Sequence, residues 1–225
     1  MFDFIARAVS LVPSVVPHLR SGFYKTYDYM LQVIERSVTA VYNGNMGGEF
    51  VDILSDLIKG QLTQAYMQAW EDSGETSHEL PDYLKSSLED AIIQNNDADF
   101  IYQYFHDVVD ARVDGTPIDP LLSRADMWAA RYNEAYNAAT TAIVAENGGN
   151  LEWVFGDTDH CDTCEKLNGI VAYASEWEAA GFAPQNAPND MLDCGGWKCQ
   201  CKLRPTDQRR SPRALETLMN IAEGV

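Results

Sequence analysis

All five cysteines of this chain fall between Cys161 and Cys201, and the rest of the sequence has none. Cys161 and Cys164 are separated by two residues, and Cys194, Cys199 and Cys201 follow after a gap of 29 residues. Two thiolates at C-x-x-C spacing can face one ion when the chain turns between them. A second pair from a distant segment then completes a tetrahedron with Zn–S distances of about 2.3 Å. The preferred set is Cys161, Cys164, Cys194 and Cys199 around one zinc ion. Cys201 points to the same side as Cys199 if both lie on a strand, and so could replace either late ligand. His160 is a weaker ligand candidate, because its neighbour Cys161 makes a better partner for Cys164. Gly195 and Gly196 would let backbone amides approach the sulfurs closely. Two other chemistries use the same residues. A pair of disulfides with one free thiol would staple the segment in an oxidising compartment. A redox-active Cys161/Cys164 pair would need a larger βαβ unit, and none is visible.

The elements that must position these thiols change character at Gly148-Gly149, which can supply the left-handed position that ends a helix. Before it the chain reads as helical. Phe50, Ile53, Leu54, Leu57, Ile58, Leu62, Tyr66 and Trp70 form one apolar stripe over Gly48–Trp70. Tyr27, Met30, Leu31, Ile34, Val38 and Val41 do the same over Tyr27–Tyr42, and Ile101, Tyr104, Phe105, Val108 and Val109 over Asp97–Arg112. Pro81 opens a shorter helix through Ile93. A long helix over Leu121–Asn147 carries Trp128, Tyr132 and Tyr136, expected in the core. Beyond Gly149, Leu151–Phe155 and Gly169–Tyr173 look like short strands with a tight-turn signal at Asn168-Gly169. Ser175 is expected to cap a short helix through Ala180, Cys199–Leu203 to make a third strand, and Pro212 to open a last helix over Arg213–Ala222. The expected fold is mainly α with a small α+β C-terminal module. Residues 1–120 form a helical body with a possible docking region, and residues 121–225 a helix followed by a short β-hairpin and zinc-stapled module.

Charge limits the partners. With 16 Lys and Arg against 34 Asp and Glu the chain carries a net charge of −18, which opposes a general role in coating nucleic acid. The only positive stretch is the C-terminal end, where Lys198, Lys202, Arg204, Arg209, Arg210 and Arg213 could meet DNA phosphates or form a solvated tail. No run reaches the roughly 18 apolar residues that span a bilayer, so no membrane role is expected. The apolar opening Phe2–Val16 has Asp3 where a signal peptide wants positive charge, and Pro13 and Pro17 interrupt it. It reads either as a docking element or as an ordinary core helix.

Catalytic signatures are lacking: there is no Gly-rich phosphate loop, no H-E-x-x-H and no G-x-S-x-G. His18, His78, His106 and His160 are scattered, and His106 is expected as a buried, hydrogen-bonded histidine. Glu71, Asp72, Glu75 and Glu79 read as a solvated acidic loop. Arg131 and Glu134 share a helical face, where Arg131 either packs that helix against the cysteine module or forms a surface ion pair.

The helix around Arg124–Asn137 with Arg131 and Glu134, then Trp153, Asp157–Cys161, Cys164, Leu167-Asn168-Gly169 and finally Cys194, Cys199, Cys201 and Pro205, resembles the phage head-morphogenesis family, the Mu F-like minor head proteins. Order and spacing match over about residues 121–206. Two departures stand out. Gly196-Trp197-Lys198 replaces the usual His-Pro-Asn, so Cys194 would supply the ligand that histidine gives elsewhere, and Gln200 replaces the arginine between the closing cysteines. The resemblance implies a minor structural protein of a tailed-phage head, located in the virion, associated with portal or capsid protein and with packaged DNA, and acting in head assembly or DNA delivery. Assembly in a reducing bacterial cytoplasm would favour zinc over disulfides. The alternatives are an enzyme or toxin domain carried by a phage particle, and a cellular zinc-binding adaptor.

Overall fold

The computed structural model describes residues 26–224 apart from residues 76, 78, 158 and 198. The apolar opening Phe2–Val16, His18, His78 and Lys198 therefore lie outside the described residues. The chain is mostly helical with one small antiparallel sheet near its C-terminal end. In order it forms α1 (Thr26–Tyr42), α2 (Glu49–Asp72), α3 (Asp82–Asn95), α4 (Ala98–Asp114), α5 (Asp119–Glu146), β1 (Asn150–Val154), α6 (Asp162–Leu167), β2 (Val171–Tyr173), α7 (Ala174–Ala180), β3 (Lys202–Thr206) and α8 (Ala214–Ala222).

These elements make two compact units. One contains residues up to Gln61 together with Ile92–Ala129. Its core is the set of stripes read from the sequence: Met30, Ile34, Val38 and Val41 of α1, Phe50, Leu54 and Ile58 of α2, and Ile101, Tyr104 and Val108 of α4. Phe50 meets the Tyr104 ring edge-on at 5.8 Å, and the Arg124 guanidinium lies 4.5 Å from the centre of that ring. The Tyr104 hydroxyl is not left unpaired, because it donates to the Leu121 carbonyl at 2.6 Å. Asp97 caps α4 by accepting from the Asp99 amide, and Gly115 ends it with φ 67°. His106 differs from expectation. It is exposed, edge-on to Phe105, because it falls one position beyond the buried Ile101/Tyr104/Val108 face.

The other unit contains Leu62–Ala91 and Ala130–Val225. Here α5 presents a mostly small-residue face, with Ala135 and Ala139 buried beside Tyr132. Tyr136 is half-buried and donates its hydroxyl to Asp72 at 2.7 Å. Gly148, with φ 65°, reverses the chain into β1. The sheet order is β2-β1-β3, with Leu151 opposite Ala172 on one side and Pro205 on the other. Leu151 and Trp153 point into a core shared with Trp177, Phe182, Leu203, Leu218 and three of the cysteines. Trp153 and Trp177 lie 5.8 Å apart, and the Trp177 indole donates to the Leu151 carbonyl at 3.2 Å.

Three local expectations are corrected. The third strand begins at Lys202, not Cys199, because its partner β1 ends at Val154, which faces Lys202. An additional helix, α6, lies between β1 and β2, where the sequence suggested only a turn. Ser175 lies inside α7 and does not cap it; the chain is secured there by Glu176, whose carboxylate accepts from the Tyr173 amide at 3.0 Å.

Candidate metal centre

Two chain segments bring the five thiols together. The first leaves β1 through Gly156, passes His160 and enters α6, whose N-cap is Cys161 and whose third residue is Cys164. The second is the arm from Leu192 to Cys201, leading into β3. They meet so closely at Gly156 that an added Cβ would lie 2.3 Å from the Gln200 carbonyl oxygen, so only glycine fits. A second clip joins them 30 residues apart: Asp193 accepts from both the amide and the hydroxyl of Thr163, at 2.9 and 2.6 Å. Gly195 and Gly196 turn the arm with φ 62° and 78°, and a Cβ on Gly196 would strike the Asn186 carbonyl at 2.6 Å. Asn189 organises the preceding loop by donating to the Gly181 and Ala183 carbonyls and accepting from the Met191 amide.

The outcome is a knot of sulfurs. Cys161, Cys164 and Cys194 have sulfurs within 4.8 Å of one another, and so do Cys164, Cys199 and Cys201. None of the five is joined in a disulfide. The Cys164 and Cys199 sulfurs are 3.9 Å apart, well beyond the roughly 2.05 Å of an S–S bond. Cys164, Cys199 and Cys201 are buried, while Cys161 and Cys194 are half-buried at the edge of an open cleft of about 500 Å³. Cys164, Cys199, Asp157, Asp159, His160 and Trp197 complete its lining. The β1 and β2 strands that flank Cys161 and Cys164 are antiparallel, which is not the parallel crossover that a thioredoxin-like site requires.

Backbone amides aim at the sulfurs. Burial pushes the Cys161 thiol up, but amides at Cys164 and Cys194 and the neighbouring thiols outweigh it, and the group lies below the ordinary thiol value. Cys201 is drawn down as well, chiefly by hydrogen bonds from Cys164 and Cys199, with the Gly156 amide and His160 assisting. The cost falls on the others. Cys164 is driven up by the hydrogen bonds it gives to Cys199 and Cys201 and by burial. Burial also raises Cys194, against the Gly196 amide. Cys199 is helped by the hydrogen bond from Cys164 yet is pushed up to about 12 by Cys201 and burial. Five thiols crowded in this way cannot all ionise next to one another, and a bound cation would remove that penalty. The donor set therefore suits a metal ion, and these five cysteines can hold one.

The other residues singled out by sequence fall as follows. The Arg131 guanidinium donates to Glu134 at 2.6 Å and to the Ala187 carbonyl at 3.1 Å, so it does tie α5 to the loop preceding the cysteine arm. Burial raises the Glu134 carboxyl above its usual range, and Arg131 opposes this. In the C-terminal basic stretch, Arg204 pairs with Glu152 at 2.7 Å, Arg210 forms a two-pronged pair with Glu176, and Arg213 lies 3.8 Å from Glu216. Asp107 is held by Arg124 and Gln103, while Asp110 is exposed. Sequence reasoning missed Gly156, Thr163 and Asp193. Nothing local distinguishes an aspartate that caps a helix 30 residues away. His160 stands beside the cluster without joining either group of three: its Nδ1 lies 3.6 Å from the Cys201 sulfur, and its ring stacks on Phe155 with centroids 3.7 Å apart.

Among the described residues no helix is long and apolar enough to cross a membrane. Comparison of the chain with protein-family models, curated proteins and solved structures returns no match.

Proposed function

We propose that this chain is a minor structural protein of a tailed-phage head, present in the virion, whose C-terminal module is held in shape by zinc bound at the cysteine cluster. One observation carries the reading. The residues that make up the resemblance lie far apart in sequence yet serve one module: Arg131 and Glu134 on α5, buried Trp153 on β1, and the cysteines from α6 and the closing arm. Zinc is the metal preferred because the donors are thiolates with an adjacent imidazole, and zinc takes such ligands in a closed tetrahedral site without redox chemistry.

The zinc would contribute folding energy, not catalysis. A three-stranded sheet and three short helices bury little apolar area by themselves, and a structural ion supplies what so small a core lacks. The helical body would dock on a portal or capsid protein. DNA is a secondary partner in this reading. Arg204, Arg210 and Arg213 already face carboxylates, so among the described residues Lys202 and Arg209 are left to neutralise phosphates, and two such contacts would give a slope of log affinity against log salt of about −1.8.

Two measurements test the proposal. Protein purified under reducing conditions should carry zinc, and a metal-free preparation with an intact module would refute the zinc. Mass spectrometry of purified phage particles from the source genome should find the chain in heads at low copy number. Its absence from particles that still assemble and deliver DNA would refute the virion role.

A further inference from the structure

We propose that the cluster is built for two metal ions that share the Cys164 sulfur. The inference rests on the zinc reading above and extends it. A tetrahedral zinc with sulfurs at 2.3 Å has S···S edges of about 3.8 Å. Among the described residues the sulfurs close to this spacing form two groups of three with Cys164 common to both, not one group of four.

Each group has a fourth donor position. For Cys164, Cys199 and Cys201 the candidate is His160, which approaches the Cys201 sulfur but is not within 4.8 Å of all three sulfurs, so its ring must move inward to complete the shell. A zinc bound to one sulfur and one imidazole nitrogen sets them about 3.6 Å apart, and His160 Nδ1 is 3.6 Å from the Cys201 sulfur. That ring stacks on Phe155, and the three cysteines of this group are buried. For Cys161, Cys164 and Cys194 the fourth position opens on the cleft, where a water or the carboxylate of Asp157 or Asp159 would complete the shell. The second ion is therefore the more exposed of the two, since Cys161 and Cys194 are half-buried while Cys164, Cys199 and Cys201 are buried.

Charge favours the same count. One divalent ion takes four thiolates, which leaves two uncompensated negative charges and a spare neutral thiol in a largely buried cluster, beside aspartates and in a chain of net charge −18. A second divalent ion, with the fifth thiol ionised, leaves one.

The test is native mass spectrometry of the full chain, purified reduced and saturated with zinc. The wild type should bind two ions, and Cys194→Ser should bind one while keeping its helical signal. Cadmium-substituted wild type should show two metal resonances split by coupling through the shared sulfur. One ion in the saturated wild type would overturn the proposal and leave the zinc-stapled module standing, whereas no ion would overturn both. Two ions retained by Cys194→Ser would also refute it, since the cleft-side site could not then depend on that thiolate.

Discussion

Replacing Gly156 by alanine adds one methyl group, and the structure fixes where it goes. The new Cβ would lie 2.3 Å from both the Cβ and the carbonyl oxygen of Gln200 and 2.5 Å from its carbonyl carbon. Real Cβ contacts do not fall below 3.0 Å, so the two segments must separate by about 0.7 Å. The obstacle is mostly backbone, and no rotamer change relieves it. Cys201 is the residue after Gln200, and metal–ligand distances tolerate only about ±0.2 Å. The separation exceeds that severalfold. We expect Gly156→Ala to cost about 1–3 kcal/mol, the range for overpacking a tight contact. At roughly 2–4 °C per kcal/mol for a chain of this size, the melting temperature should fall by about 2–12 °C, and on the zinc proposal the affinity for that ion should drop at least tenfold. Gly60→Ala is the matched control. Gly60 lies inside α2 with nothing within 4 Å of its added Cβ, so the same change should stabilise by about 0.5–1 kcal/mol. Thermal unfolding followed by circular dichroism, with a chromophoric chelator competing for zinc, reads both variants. If Gly156→Ala melts and binds zinc like the wild type, the close approach of the two segments is not what positions Cys201.

Arg131→Ala should leave the largely buried Glu134 carboxylate without its partner, at a cost of about 3 kcal/mol, and adding Glu134→Leu in the same chain should recover most of it. Because burial already raises that carboxyl, the deficit of Arg131→Ala should shrink as the solution is acidified and Glu134 takes up a proton, which melting curves across pH will show. Glu176 behaves oppositely: the Arg210 hydrogen bonds hold its carboxyl below the ordinary 4.5, so its stabilisation is present above that pH and is lost on acidification through the lowered value. Glu176→Gln should therefore melt several degrees below wild type at neutral pH, and the two curves should converge in acid. Chelation under reducing conditions should loosen the module around the fully buried Trp153 and Trp177, giving a red shift of tryptophan emission with most of the helical signal retained. An unchanged emission spectrum would show that the module stands without metal.

Local pattern was enough to determine the helical body. Apolar residues at three- and four-residue spacing leave one way to hide them, so Ile34, Leu54, Ile58, Tyr104 and Val108 are buried where periodicity puts them. The chemistry at Cys161 to Cys201 was equally legible, since thiols gathered in one short region of an acidic chain announce a common site. Periodicity failed where burial stopped following it: His106 falls off the apolar face, and Cys199 to Cys201 lies beyond the end of β1 and does not extend the strand. Tertiary structure alone decided how the thiols divide, with Cys164 at the junction of two groups, and drew in His160, Gly156, Thr163 and Asp193. Those assignments depend on two segments about 40 residues apart crossing at one point. A crossing is set by the packing of β1, α6 and the closing arm around Trp153 and Trp177, and no property of either segment read by itself encodes its distance to the other.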